Sequence, residues 1–201
     1  WKAKTGDIPG HLCLVGVQND LPTPDTTTTT GGKYLSRVYE YKPAMGQFVN
    51  VLPKYEVGDD AETMCRKCEA AIANNNGGLI TLGGWGGYVT FGFDHAVRNV
   101  AGERDFRILG NAFYLDGNTQ YGSSEPGVVY VSRDANRNGL PDDPWYELRG
   151  SEYDNSTTDH YYRKTYTRAG DTLQNAFYKQ PYYPQWLTED AITFEGVRLA
   201  N

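Results

Sequence analysis

From Leu79 onward the apolar positions recur with a period of two, in short runs separated by clusters of glycine, proline, asparagine and aspartate. Such runs read as strands between turns. They predict strands over Leu79–Leu82, Tyr88–Phe93, Phe106–Leu109, Val128–Ser132, Trp145–Leu148, Tyr161–Thr167 and Ile192–Leu199. Upstream, Tyr34–Tyr41 alternates well enough to add another strand, and Leu12–Val17 is a short apolar run of strand length. One segment follows the helical period instead. Met64, Cys65, Cys68, Ala71 and Ile72 fall on one helical face, with Asp59 or Asp60 placed as N-cap and Glu62 and Thr63 in the first turn. The run from Asn74 to Gly78 stops that helix, which is expected at about 60–74. Many short strands at this spacing predict a mainly β fold, a jelly-roll-like β-sandwich with one α-helix.

The first 32 residues read as an N-terminal segment and linker. Asp20 to Gly32, with Pro22, Pro24 and five consecutive threonines, buries too little apolar area to order itself. Linkers of this composition are typical of secreted multi-module proteins, so the ligand-binding domain is placed at 33–201. The chain begins at Trp1 with neither Met nor a signal-like apolar region and reads as a processed product or fragment. No apolar stretch is long enough to span a bilayer. Any membrane association is therefore expected only through a lipid anchor lost from the chain.

Composition narrows the function classes. With 19 basic against 25 acidic residues and no basic stripe, a nucleic-acid partner is excluded. Twenty-three Gly, 16 Tyr and 4 Trp against 2 Met describe a turn-rich, β-leaning chain. That much tyrosine suits either strand filling or a surface for polar ligands. Cys65 and Cys68 have the spacing of a redox or zinc pair, but no second pair accompanies them, and they read as helix-face packing.

Three constellations bear on chemistry. Asp134-x-Asn136-x-Asn138-Gly139 repeats side-chain oxygens at every second residue around a glycine turn; Leu140 would add a backbone carbonyl and Asp142 falls at the ninth position of the loop. This is the pattern of a calcium loop, although Trp145 stands where a bidentate glutamate is expected. The alternative is a polar hairpin turn built on Asn138-Gly139. Flat rings suited to stacking on a ligand are carried by Trp85, Tyr88, Tyr114, Trp145, Tyr146, Tyr182, Tyr183 and Trp186. The binding set is placed at Trp85, Tyr114, Asn111, Trp186 and Tyr183. For hydrolysis, Asp94, Asp105, Glu125 and Glu152 supply carboxylates but no spacing selects a pair. Asp94-His95 invites a triad reading, yet no nucleophile elbow accompanies it. Gly83-Gly-Trp-Gly-Gly87 precedes a strand and lacks a Lys-Ser/Thr pair, so it reads as a tight connection and not a phosphate loop.

An ordered set of motifs carries a family resemblance. They are Tyr41-Lys-Pro-Ala-Met-Gly-Gln-Phe-Val-Asn50, Leu82-Gly-Gly-Trp-Gly-Gly-Tyr-Val-Thr-Phe-Gly-Phe-Asp-His95, Asp105-Phe-x-x-x-Gly-Asn-Ala-Phe113, Glu125-Pro-Gly-Val-Val-Tyr-Val-Ser132 and the segment from Asp134 to Leu148. From Tyr39 to Leu199 the chain resembles surface-exposed proteins of gut Bacteroidetes, described as cell-surface or PKD-domain-containing proteins. Among these it is similar to BtuH-type cobalamin-binding surface lipoproteins. The resemblance implies further β motifs past Leu199 and a longer loop across Arg168–Tyr178. It implies non-catalytic capture of a corrinoid (vitamin B12) at the cell surface, or in the secreted space, and its delivery to an outer-membrane transporter. The alternatives are a carbohydrate-binding module, a glycan-active hydrolase and a structural or adhesive module.

Overall fold

The computed structural model describes residues 12–16, 32–97, 100–102, 104–110, 112–114, 120, 122–124, 126–171 and 179–199. Its strands are β1 (Leu12–Gly16), β2 (Arg37–Lys42), β3 (Tyr88–Gly92), β4 (Ala112–Tyr114), β5 (Gly122–Ser124), β6 (Val129–Arg133), β7 (Trp145–Glu147), β8 (Asp159–Thr167) and β9 (Ala191–Arg198). One α-helix, α1 (Ala61–Ile72), lies among the described residues. The class is mainly β with one helix.

The main sheet has five strands in the order β2-β3-β1-β6-β7. Its centre is parallel: β1 pairs with β3 through Cys13↔Thr90 and with β6 from Leu12↔Val129 to Gly16↔Arg133. Its edges are antiparallel, β2 against β3 and β7 against β6. The run at Leu12, ahead of the Thr/Pro-rich segment, thus supplies the central strand. A hairpin, β4–β5, and a longer ribbon, β8–β9, complete the strands.

Period-two alternation sorts the side chains of the main sheet into two faces. Val89 and Phe91 pack with Met64 and Cys68 of α1, while Tyr88, one residue before Val89, packs with Tyr166 and Phe194 of the ribbon. On β6, Val129 and Val131 join the helix side and Tyr130 meets Val197 of β9. The sheet therefore lies between a helix and a two-stranded ribbon. A register shift between Val38 and Glu40 brings Val38 and Tyr41, three apart, onto the same helix-facing side. Burying a ring such as Phe194, only 1 % exposed, stabilises by roughly 2–3 kcal/mol.

The helix ends follow local chemistry. Asp60 is the N-cap, its Oδ1 accepting from the Thr63 amide at 2.8 Å. Asp59 is used differently, accepting from the Glu56 amide and from Lys67 Nζ. At the far end, Asn75 donates to the Ala71 and Ala73 carbonyls and accepts from the Gly77 and Gly78 amides, so the asparagine-glycine run closes the helix. Cys65 and Cys68 of the helix are free, and burial raises the thiol pKa of each. They act as packing groups.

Gly83–Gly87 forms a tight connection, as its composition suggests. A Cβ on Gly83, whose φ is +72°, would lie 1.9 Å from the Ala44 carbonyl, and one on Gly86 would lie 2.4 Å from Phe194 Cβ. Side chains there would wedge apart the segments that close the ribbon onto the sheet. Two expected strands are absent. Leu79–Leu82 is irregular: Thr81 donates to the Leu52 carbonyl and Leu82 accepts from Ala44, single bonds to loops in place of a ladder. Phe106–Leu109 keeps alternate exposure, with Phe106 and Ile108 against the helix-side core, but forms no strand.

Candidate functional site

The β6–β7 connection folds around Asp134, which is buried at 4 % exposure. Its two carboxylate oxygens accept from the Asn138 amide at 3.0 Å and the Gly139 amide at 2.8 Å. Asn136 Oδ1 also accepts from the Asn138 amide, and Asn138 Oδ1 accepts from the Leu140 amide. Across the turn, Asn136 Nδ2 donates to Asp142 Oδ1 at 3.1 Å and Asn138 Nδ2 donates to Asp142 Oδ2 at 2.8 Å. These bonds, that from Asn138 first, hold the Asp142 carboxyl below its ordinary range. Positive φ at Arg137 and Gly139 lets the chain turn this tightly. Asp143 anchors the base, accepting from the Ala135 amide on its carboxylate and from Ser132 Oγ on its carbonyl.

Asp134, Asn136, Asn138 and Asp142 are thus gathered by one turn, as the spacing predicts, with Leu140 in the same turn. Half of their side chains are amides, a donor set that suits a hard cation and not a transition metal. Among the described residues no group of three His, Cys, Asp or Glu side chains is arranged to hold a metal. Trp145 packs against the Val128–Tyr130–Val197 cluster, so its ring belongs to the core.

Beside this loop lies an open cleft of about 400 Å³, lined by Ser36, Arg37, Tyr39, Phe93, Asp94 and His95, with Gly139 of the loop in its wall. Pairing of Arg37 with Gly92 brings the start of β2 against the end of β3 and assembles these side chains. The Arg37 guanidinium lies over the Tyr39 ring, 5.0 Å from its centroid. Asp94 Oδ1 meets His95 Nδ1 at 2.7 Å, and both Asp94 oxygens accept from the Gly32 amide at 3.1 Å. The hydrogen bond from His95, then that from Gly32, holds the Asp94 carboxyl below its ordinary range. The His95 ring stands edge-on to Phe93, 5.9 Å between centroids.

The expected aromatic platform is distributed differently. Tyr183 is fully buried, its hydroxyl donating to the Glu189 carbonyl and its ring covered by Arg168. Trp186, 6 % exposed, stacks on Tyr41 in the helix-side core. Trp85 is half-buried, its Nε1 donating to the Val197 carbonyl and its ring edge-on to Tyr162. Tyr114 is exposed on β4, and Asn111 lies outside the described residues. Trp85 and Tyr183 therefore share the ribbon-side core, Trp186 joins the opposite core, and the set forms no single face. A proline-punctuated segment reads as an exposed loop. Here it is pulled inward by Asn50, which donates to the Pro181 and Tyr183 carbonyls and accepts from the Gln185 amide.

The sequence reading singled out Asp94 and His95 but missed Arg37 and Tyr39. Their available signal was alternation: both lie on one face at the start of a strand whose other face is apolar. Of the remaining carboxylates, Asp105 accepts from the Val100 amide and Glu152 from Asn155 Nδ2, while Glu125 lies outside the described residues. His160 is held by the Tyr153 carbonyl, and His11 also lies outside. No described helix is long and apolar enough to cross a membrane. Compared with known proteins, the chain matches no family model and no curated protein.

Proposed function

We propose that this chain is a non-catalytic ligand-capture module of the cell surface or secreted space, with calcium in the Asp134–Asp142 loop and the ligand in the adjoining cleft. One observation carries the reading: loop and cleft share a wall at Gly139. An ion held by Asp134, Asn136, Asn138, the Leu140 carbonyl and Asp142 would fix that wall and offset the loop's negative charge. Capture is favoured over hydrolysis because, among the described residues, Asp94 is the one carboxylate in the cleft lining, where glycoside hydrolysis calls for a pair. The packing of the β8–β9 ribbon on the main sheet supplies the sandwich element of the scaffold. The Thr/Pro-rich segment before Lys33 supports the extracellular placement.

The cleft volume favours a ligand of saccharide size, since pockets of roughly 300–1,000 Å³ bury most of the surface of a small molecule. The corrinoid reading, with delivery to an outer-membrane transporter, is favoured by a different observation. Asp94 and His95 close one of the motifs that carry the family resemblance, and both line the cleft. A corrinoid would insert an edge there and leave its macrocycle outside.

Calorimetric titration with calcium, then with oligosaccharides and cyanocobalamin, tests both halves. Calcium at a hundredfold excess over its Kd should add about 2.7 kcal/mol to stability, visible as a raised Tm. Asp134→Asn and Asp142→Asn should remove that increment. No heat and no Tm shift with calcium would leave the loop a self-satisfied hairpin, and no heat with either ligand class would end the capture reading.

A further inference from the structure

Two opposite charges line the cleft. Among the described residues, the Arg37 guanidinium makes a face contact with Tyr39 but no hydrogen bond or ion pair, so its donors point to no fixed acceptor. Asp94 is 46 % exposed at its side chain, and among the described residues its carboxylate is engaged by His95, the Gly32 amide and its own backbone amide. A carboxylate has about four lone-pair positions, so acceptor capacity remains. Because Asp94 holds His95 by Nδ1, Nε2 is left as the second polar atom of that ring.

These charges discriminate between ligand classes. An anion drawn to Arg37 would meet Asp94 and, across Gly139, the acidic loop. A cation drawn to Asp94 would meet Arg37. A neutral ligand with adjacent hydroxyls satisfies both, since one hydroxyl accepts from the guanidinium while its neighbour donates to the carboxylate. Phe93 and Ala96 supply apolar surface in the same lining.

We infer that Arg37 and Asp94 form a clamp for a vicinal diol, and that the cleft takes the ring of a neutral pyranose. The inference rests on the capture reading and specifies its ligand class.

The test uses the full chain in calcium buffer, followed by ¹H–¹⁵N correlation spectra. Methyl α-D-mannopyranoside should produce saturable shifts at Arg37 Nε–H and at the amides of Phe93, Asp94, His95 and Gly139. Its 2,3-dideoxy counterpart should bind at least about tenfold more weakly, as loss of a hydrogen bond to a charged group implies. Arg37→Met should weaken the mannoside by a similar factor. Asp94→Asn should do the same, with Tm checked because Asp94 also holds Gly32. If that variant unfolds, Arg37→Met and Tyr39→Phe carry the comparison.

Equal binding of the mannoside and the dideoxy analogue, or an unaffected Arg37→Met, would overturn the clamp while leaving capture intact. Cyanocobalamin shifting the same amides with every pyranoside silent would also overturn the ligand class but uphold capture. Silence from all of these ligands would remove both.

Discussion

Asn50 shows how much a single buried polar residue organises here. It is 1 % exposed, and its amide holds three backbone groups of the segment that carries Tyr183 and Trp186. Asn50→Ala should therefore lower stability by about 3 kcal/mol, measured by urea unfolding, because it strands buried donors and acceptors as well as losing bonds. Asn50→Asp should be worse at neutral pH, since a carboxylate would face the Pro181 and Tyr183 carbonyls. Part of that loss should be regained in acid, as protonation restores a donor. Nothing in the local pattern around Asn50 announces this role. Its partners lie more than 130 residues away, so only the folded chain brings them together.

At the scale of elements, legibility tracks the range of the interactions. The helix was readable because its cap, apolar face and stop signal are all local, and Asp60 performs the capping role assigned to that acidic pair. Asp60→Ala should lower the thermal midpoint, while Asp60→Ser, which retains a capping oxygen, should restore most of it; a midpoint unchanged in the alanine variant would show the cap to be idle. The acidic loop was readable for the same reason, since its hydrogen bonds span at most eleven residues. Strands fared less evenly. A period-two run states that a segment suits a sheet but not whether a partner is available, and Phe106–Leu109 has the pattern without the ladder.

For the whole molecule, pH dependence follows from the charged pairs. Asp59, Asp94, Asp142 and Asp154 are held below their ordinary range chiefly by hydrogen bonds from Lys67, His95, Asn138 and Arg149, respectively. A depressed folded pKa means stability present above the unfolded pKa, near 4, and lost as pH falls through the folded value. Lys67 and Arg149 are raised by the same pairs, chiefly through hydrogen bonds to Asp59 and Asp154. Their share is full at neutral pH and fades only as alkaline pH rises through their folded values. Urea midpoints should therefore be flat through neutrality and fall below about pH 4. High salt should flatten that acid limb, because Asp94, Asp142 and Asp154 are exposed and screened. An acid limb unchanged by salt would contradict this origin.

The chain by itself determined a mainly β fold with one capped helix, an oxygen-rich turn at Asp134–Asp142 and a glycine-tight connection at Gly83–Gly87, since each depends on near neighbours. The tertiary structure alone decided that the main sheet has a parallel centre at β1. It also decided that Tyr183 and Trp186 are core while Arg37 lines one cleft with Asp94 and His95. The physical reason is distance along the chain: strand partners, core assignments and cleft walls join segments far apart, and alternation cannot record which segments will meet.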